Sequence, residues 1–580
     1  LQVLVCCQKI REKRLQKEFD MKPHVLLTNG RVVNVYSGEI LPHNVAVSGE
    51  KISYVGPSKD MIGSETQVID VKGSFILPGF FDAHAHADLF YHPFSYANQV
   101  VTRGTTGFFN DGHDLANAIG ATAYLKTMNQ LSSGFLSAYT GIPAAAPPYP
   151  EVEGGDLWSD EDLENAYAFD NVLSLSEITP YLRLISGEPA LKKRVQMARE
   201  KGRLVEGHTT GANWDKLNIL AMAGVTSCHE SLNAEDAMER LRLGYYVMLR
   251  HGSIRQDLPY LAEAVHRAKA FDTSRIMLVP DGIFPDHLIS WGNMDWVVAE
   301  AVNQGIDPVR AIQMATINPA RYFRLDHLLG GVAPGRLAHL LVVDSLEKPT
   351  PRLVLSKGAI VAEDGVLTVA PLATPDADMG NRPFNMGPLS AETFQVAHRK
   401  SLEKVPVIKI VNQTVTTLGE VRLRVQNGVY QPEGDILAAT LISRDGTMRG
   451  QGFVQGFCSG LSGLASTVAH ETHGLLVMGQ GAADMAQAAE DVLEMGGGIS
   501  MVRGGVVQAR VSLPVGGVCS RKSVPDLAQE ITTFHGLLAG AGCTLTYPLW
   551  TLGFLTFTSV LKVRLTYRGV YDVKAEKIIF

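Results

Sequence analysis

Residues 76–88 read I-L-P-G-F-F-D-A-H-A-H-A-D, from Ile76 to Asp88. An apolar run ends at Pro78-Gly79, resumes as Phe80-Phe81, and delivers His84 and His86 two residues apart. Side chains of a β-strand alternate faces, so the two imidazoles point the same way. Two imidazoles on one face at the end of a buried strand are half of a metal site, and imidazole suits zinc, iron or manganese. A His-x-His pair alone also describes two surface histidines. The apolar lead-in and Asp82 just before the pair argue for ligands.

Downstream, short apolar strands alternate with helical stretches. Candidate strands fall at 74–83, 106–111, 135–142, 171–178, 203–208, 224–230, 245–251 and 275–281, with helix-like stretches such as Asp114 to Leu131, Asn233 to Leu243 and Asp257 to Ala270 between them. Eight strand–helix units over roughly 250 residues predict an α/β fold of the (β/α)8 barrel kind. A doubly wound sheet is the alternative, but it would want a glycine-rich phosphate turn after the first strand, and none is there.

On either side of this segment the pattern is β-rich. Residues 25–56 read as strand, turn, strand, with Asn29-Gly30 as a hairpin signal and a second turn at Ser37-Gly38. A similar pattern returns at 338–343 and 352–366, with turns at Lys357-Gly358 and Asp364-Gly365. The two pieces predict one small β domain assembled from both ends. Residues 371–402 read as a proline-bearing linker, and 403–580 as an independent α/β domain with a hairpin about Gly504-Gly505. The expected division is therefore 1–73 for the N-terminal segment and first part of the β domain, 74–330 for the barrel and 331–370 for the second part of the β domain, followed by the linker and the last domain.

At 580 residues the chain is too long for one core. Its 46% hydrophobic and 19% charged residues match a soluble enzyme, and a net charge of −7 gives no reason to expect nucleic acid or an anionic membrane as partner. The six cysteines (Cys6, Cys7, Cys228, Cys458, Cys519, Cys543) show no framework spacing, which favours a reducing, cytoplasmic setting. The residues through Asp20 do not read as a secretory signal, since the basic cluster Lys9 to Lys17 follows the apolar run instead of preceding it. The longest uncharged stretch, Cys543 to Leu561, carries five threonines and reads as core strand and loop, not a membrane span.

In a barrel, chemistry sits at the C-terminal ends of the strands. Those ends carry His84 and His86, then Asp111 and His113, Glu177, Glu206 and His208, His229 and Glu230, Arg250 and His251, and Asp281. Histidine or a carboxylate closes seven of the eight strands, a series that is more specific than any of its members. The chemistry implied is metal-assisted hydrolysis. Four histidines and two or three carboxylates can hold two divalent ions, a bridging carboxylate keeps the ions close, and a shared hydroxide becomes nucleophilic near neutral pH. Asp281 can bind one ion and take the proton from that hydroxide.

These motifs resemble a family. P-G-F-F-D-A-H-A-H at 78–86, R-G-T-T at 103–106 and N-P-A-R at 318–321 look like the amidohydrolase superfamily. More narrowly, E-G-H-T-T-G at 206–211, C-H-E at 228–230, Y-V-M-L-R at 246–250, and P-A-R-Y-F followed by A-P-G-R resemble adenine deaminases. In the last domain, G-F-V-Q-G-F, A-S-T-V-A-H-E-T-H and G-G-G-I-S-M-V-R are similar to that family's C-terminal domain. The resemblance runs from about residue 24 to near the end. It implies a two-metal centre of manganese, iron or zinc, with His84, His86, Glu177, His208, His229 and Asp281 as ligands. Asp281, Glu230 and His229 would be catalytic, Glu230 contacting the purine ring and passing protons. Glu177 stands where many relatives use a carboxylated lysine. The partner is a small purine base and a homo-oligomer is expected. Departures from the family pattern (Ala87-Asp88-Leu89-Phe90 after His86, Cys228 for an aspartate, Gly282-Ile283-Phe284 after Asp281) place the chain in a divergent branch and leave the exact substrate open.

Other residues invite plainer readings. His470 and His473 in A-H-E-T-H lack metalloprotease spacing and read as structural. His92, His287 and His327 read as solvent-facing, and Cys228 as a free core thiol. Arg250 and His251 fit a pocket wall or the scaffold equally. Glu206 could orient His208. The polynucleotide deaminase signature H-x-E with P-C-x-x-C is absent.

Three functions remain in view. The first is hydrolytic deamination of a free 6-aminopurine, adenine or an N6-substituted adenine. The second is opening of a cyclic amide, which would predict a carboxylated lysine on strand four, where N-V-L-S-L-S-E-I offers none. The third is a non-catalytic scaffold, which should have lost ligands.

Overall fold

The computed structural model describes residues 22–145, 147–155, 158–268, 272–375, 382–399, 402–560 and 562–580. Cys6, Cys7 and the Lys9 to Lys17 cluster lie outside them, as do Ala270, Leu561 and part of 371–402.

Eight parallel strands form the centre: β1 (Phe80–Ala85), β2 (Thr105–Asn110), β3 (Ser137–Ile142), β4 (Val172–Ile178), β5 (Leu204–Gly207), β6 (Ser227–Cys228), β7 (Tyr246–Arg250) and β8 (Ile276–Val279). β1 to β5 make one ladder and β6 to β8 another. Two contacts close the ring. Thr226 N donates to Val205 O at 2.9 Å, and Ala85 bridges Asp281 in parallel. Almost every barrel-strand position is buried, as strands covered on both faces require. The fold is thus an α/β barrel of eight strand–helix units, with a further β-rich domain after it.

The expected strand 74–83 is two strands. Phe75–Pro78 pairs antiparallel with Leu340–Val343 and parallel with Arg31–Asn34 in a seven-stranded sheet, and only Phe80–Ala85 enters the barrel. Pro78-Gly79 is the joint, and a Cβ at Gly79 would overlap the Thr106 side chain. Strands from before and after the barrel segment therefore share one sheet.

The Asn29-Gly30 hairpin does not form. Val25–Thr28 pairs with Asn44–Ser48 and Gln67–Asp70, whereas Arg31–Asn34 pairs with Glu39–Leu41 across the Ser37-Gly38 turn. All four positions of Val25–Thr28 are buried, so it is an inner strand and not one arm of a half-wet hairpin. Asn29 instead carries the chain between two sheets at φ 57°. Hairpins do form at Lys357-Gly358 and Asp364-Gly365, where paired positive φ angles match strand twist.

The stretch Asp114 to Leu131 is also two elements, His113–Ile119 and Ala121–Ser132, parted by Gly120 at φ 85°. Asn233 caps Ala234–Arg242 by accepting from Asp236 N. Leu258–Ala268 forms the next helix.

The last domain is built on an eight-stranded sheet that includes the antiparallel pair Gly498–Arg503 and Val506–Ser512. It is not independent of the barrel. Cys519–Ser520 pairs in parallel with Phe90–Tyr91, just beyond β1, and Phe90 N donates to Val518 O at 2.8 Å. One hydrophobic core runs through both, joining Phe90, Phe284 and Leu288 to Trp550 and Phe534. The uncharged stretch 543–561 contains a helix, Pro548–Phe554, where a strand was expected. Proline at its first position pre-sets the helical φ, and core packing overrides threonine's β preference. Among the described residues, no helix is long and apolar enough to cross a membrane.

Candidate active site

Because the strands run parallel, their C-terminal ends meet at one mouth. His84 and His86 close β1, and their Nε2 atoms lie 3.7 and 3.1 Å from Asp281 Oδ1, just beyond β8. Glu177, in β4, accepts from His208 Nδ1 at 2.6 Å and lies 3.3 Å from His229 Nε2. The rings of His84 and His229 stack with centroids 4.0 Å apart, which links the two halves. All six side chains are buried. Asp281 adopts φ 62°, the left-handed region that a non-glycine residue occupies at a cost, and such strain gathers at functional sites.

Around them sit groups that orient and charge-balance the set. Asp111 Oδ1 accepts from Glu177 N at 3.0 Å, and its Oδ2 lies 2.9 Å from His113 Nδ1. Asp82 Oδ1 accepts from His84 N at 3.1 Å. Arg250 Nη1 donates to Glu230 Oε1 and, at 2.9 Å, to Asp281 Oδ2. Thr210 Oγ1 donates to Glu230 Oε2 at 2.7 Å.

Burial favours the neutral form of each group, and the neighbours decide the outcome. Burial, with His229 beside it, pushes His84 down to about 3, leaving a neutral imidazole. Burial opposes the charge on His86 too, but Asp281 overrides it and raises the ring to about 9. Glu177 does the same to His229, raising it to about 10. Against the pull of burial, His208 and His229 hold Glu177 well below the usual carboxylate range. His86 and Arg250 do so for Asp281, and Arg250 with His208 and His229 for Glu230.

A divalent cation fits this set. The carboxylates are held ionised, so they call for positive charge at the centre of the cluster. His84 Nε2 is buried and finds no hydrogen-bond partner among the described residues. Ligand atoms of His84, Glu177 and His229 lie within 4.8 Å of one another, as do those of His84, His86 and Asp281, and of His208, His229 and Glu230. Imidazole and carboxylate donors of this kind suit zinc, iron or manganese.

The cluster forms one side of a cavity of ≈ 130 Å³. His86, Glu177, His208, His229, Glu230, Arg250 and Asp281 line it. Across from them stand Ile254, Arg255, Thr414, Val415, His470, Trp550, Phe554, Phe557 and Val560. Most of this second group comes from the C-terminal domain, and none of it follows from strand-end reasoning. Of the lining residues away from the strand-end series, Thr210 and His470 stood inside quoted motifs, His470 read there as structural.

Several expected roles change. Leu89, Phe90, Ile283 and Phe284, which depart from the family pattern after His86 and Asp281, are not among the residues that line the cavity. They pack one layer behind it, with the Phe284 ring 4.7 Å from that of Trp550. Glu206 does not orient His208. It accepts from Tyr322 OH at 2.9 Å and from Ser227, and burial raises it to about 7. His92 is buried and caps the helix Pro93–Val101 by accepting from Phe94 N. His287 is largely covered, stacked on Trp291 at 3.7 Å, whereas His327 is exposed. Arg250 lines the cavity, while His251 packs on Trp296. Cys228 is a buried free thiol that accepts from Thr209 Oγ1 at 3.0 Å. His473 is fully buried beside Asp114, but His470 reaches the cavity wall.

The amidohydrolase family matches residues 75–369, and the adenine deaminase C-terminal domain matches residues 413–577. An adenine deaminase of Moorella thermoacetica is 33% identical over 96% of this chain and 95% of its own. One of Cenarchaeum symbiosum is 32% identical over 97% and 93%, and one of Rubrobacter xylanophilus 33% identical over 98% and 96%. Among solved structures, enamidase overlaps with a TM-score of 0.47 at 16% identity, covering 60% of this chain and 98% of that one. The chain belongs to the adenine deaminase family within the amidohydrolases.

Proposed function

From that membership and the geometry of the barrel mouth, we propose that the chain hydrolyses adenine to hypoxanthine and ammonia with two divalent ions of manganese, iron or zinc. The observation that carries the reading is the convergence of four histidines, Glu177 and Asp281 beside one cavity whose edge holds an ionised Glu230. His84, His86 and Asp281 would hold one ion and His208 and His229 the other, with Glu177 between them. When bound, the ions supply a Lewis acid and a water acidified to be nucleophilic near neutral pH.

The chain's own groups move the protons. Arg250 and Thr210 hold Glu230 as a carboxylate, so it first accepts a proton from the attacking water and then passes it to a ring nitrogen of the base. Asp281 accepts the second proton of that water and delivers it to the departing amino nitrogen, which leaves as ammonia while C6 gains its carbonyl. Trp550, Phe554 and Phe557 keep bulk water from the cavity and offer flat apolar surface to a purine. Glu177 in place of a lysine argues against the cyclic-amide alternative.

The test is turnover of adenine by protein reconstituted with each metal, following hypoxanthine and ammonia. Adenine turned over only by metal-loaded protein is the expected result. No turnover of adenine or N6-substituted adenine by protein with full metal content would overturn the reading.

A further inference from the structure

His470 is, among the described residues, the only titratable side chain that the C-terminal domain contributes to the cavity. It is 5% exposed and sits against Trp550, Phe554 and Phe557, with ring centroids 5.9, 5.2 and 5.3 Å away. Its Nδ1 lies 3.0 Å from Asp114 Oδ1. Its Nε2 is buried and finds no hydrogen-bond partner among the described residues. A buried polar atom left without a partner calls for an explanation, and a ligand in the cavity supplies one.

The Asp114 contact decides which hydrogen-bonding role Nε2 can play. Asp114 Oδ1 lies within hydrogen-bond reach of two ring nitrogens, His470 Nδ1 and His473 Nε2, and a carboxylate oxygen between such groups accepts. Nδ1 of His470 therefore carries the hydrogen, and with a single proton on the ring Nε2 presents a lone pair. The ring is firmly placed. Asp114 also lies 2.9 Å from His473 Nε2, and Asn117 Nδ2 donates to Glu471 O at 3.0 Å. Glu471 and His473 adopt φ of 74° and 46°, a strained backbone held by these contacts.

An acceptor on the wall selects a donor on the ligand. Glu230 follows β6 and Asp114 follows β2, and in a ring of eight strands the second and sixth stand opposite each other. A purine between them turns its six-membered ring toward Glu230 and its five-membered ring toward His470. Resting on the adenine reading above, we propose that His470 Nε2 accepts the azole N–H of the substrate, so that the site selects free bases over bases substituted on that ring. Asp114 is then a positioning residue that fixes the tautomer from the barrel side.

The test compares kcat/KM for adenine and for the isostere in which a ring oxygen replaces N9–H, in wild type, His470→Leu and His470→Gln. Intrinsic reactivity cancels when the preference for adenine is compared between enzymes. Loss of the acceptor should cut that preference by about tenfold or more in His470→Leu, mainly through KM and with unchanged metal content. His470→Gln, whose amide oxygen can accept, should retain part of it. A preference unchanged within about twofold in the leucine variant would overturn the proposal. Should that variant not fold, calorimetry on wild type decides. Unsubstituted purine should bind about tenfold tighter than its oxygen isostere, and equal affinities overturn the assignment. Tighter binding of purine by a protein that turns over no adenine would instead refute the deaminase reading alone.

Discussion

Arg250 Nη1 lies 2.9 Å from Asp281 Oδ2, and the same nitrogen donates to Glu230. One buried guanidinium, anchored through Nη2 to Asp257 Oδ2 at 3.1 Å, thus joins the two carboxylates to which proton transfer is assigned. Both are kept ionised and ready to accept a proton.

Asp281→Asn keeps the shape and an oxygen that can ligate, but it cannot take a proton. Turnover should fall by about 10²–10⁴-fold, the usual contribution of a general base, with metal content retained. Near-normal kcat with full metal would remove Asp281 from proton transfer and leave both transfers to Glu230.

Glu177→Ala removes the carboxylate that lies between the histidine pairs. Metal content, read by elemental analysis, and turnover should drop together. Full metal occupancy in this variant would return Glu177 to an ordinary strand-end role.

The substrate reading predicts that N6-methyladenine is accepted at least as well as adenine. Beside Asp281 the wall is apolar, with the side chains of Ile254 and Trp550 meeting the place that a Cβ on Gly282 would take. A buried methyl gains roughly 0.8 kcal/mol, a several-fold effect at most. The two kcat/KM values on metal-loaded protein decide it. A tenfold preference for adenine would sink the idea.

Glu471 ties pH to stability. Burial raises its carboxyl to about 7, against a usual 4.5, with Ser559 Oγ donating to it at 3.2 Å. The folded state therefore holds a proton that the unfolded state has lost between these two values. Stability falls as pH rises through that window, by about 3 kcal/mol in all at 1.36 kcal/mol per unit. Glu471→Gln stays neutral at every pH, so its melting temperature should gain on wild type from pH 4.5 to pH 7 and then level off. A gap that does not change with pH would show that the carboxyl titrates normally.

Local pattern was enough to read the barrel and the residues at its mouth. Strand alternation places His84 and His86 on one face, and parallel strands bring every C-terminal end to the same side, so residues as distant as His84 and Asp281 are placed together by counting strands. Local pattern was not enough where two strands shared one apolar run. Residues 74–83 look continuous in sequence, and only pairing with Leu340–Val343 shows that the chain leaves one sheet for another at Gly79. Asn29-Gly30 misled for the same reason, since a turn signal cannot tell a hairpin from a crossing between sheets.

The resemblance of short motifs carried the family, and periodicity and order along the chain carried the fold class and the set of imidazoles and carboxylates at the strand ends. Tertiary structure alone decided what faces them. Trp550 and Phe557 have no periodicity that marks a pocket wall, and the motif around His470 carries no sign of Asp114, 356 residues away. Such contacts arise from the docking of one domain on another, through Cys519–Ser520 beside Phe90–Tyr91 and a shared apolar core. Burial across that interface depends on the shapes of both surfaces at once, and neither segment encodes the other's shape.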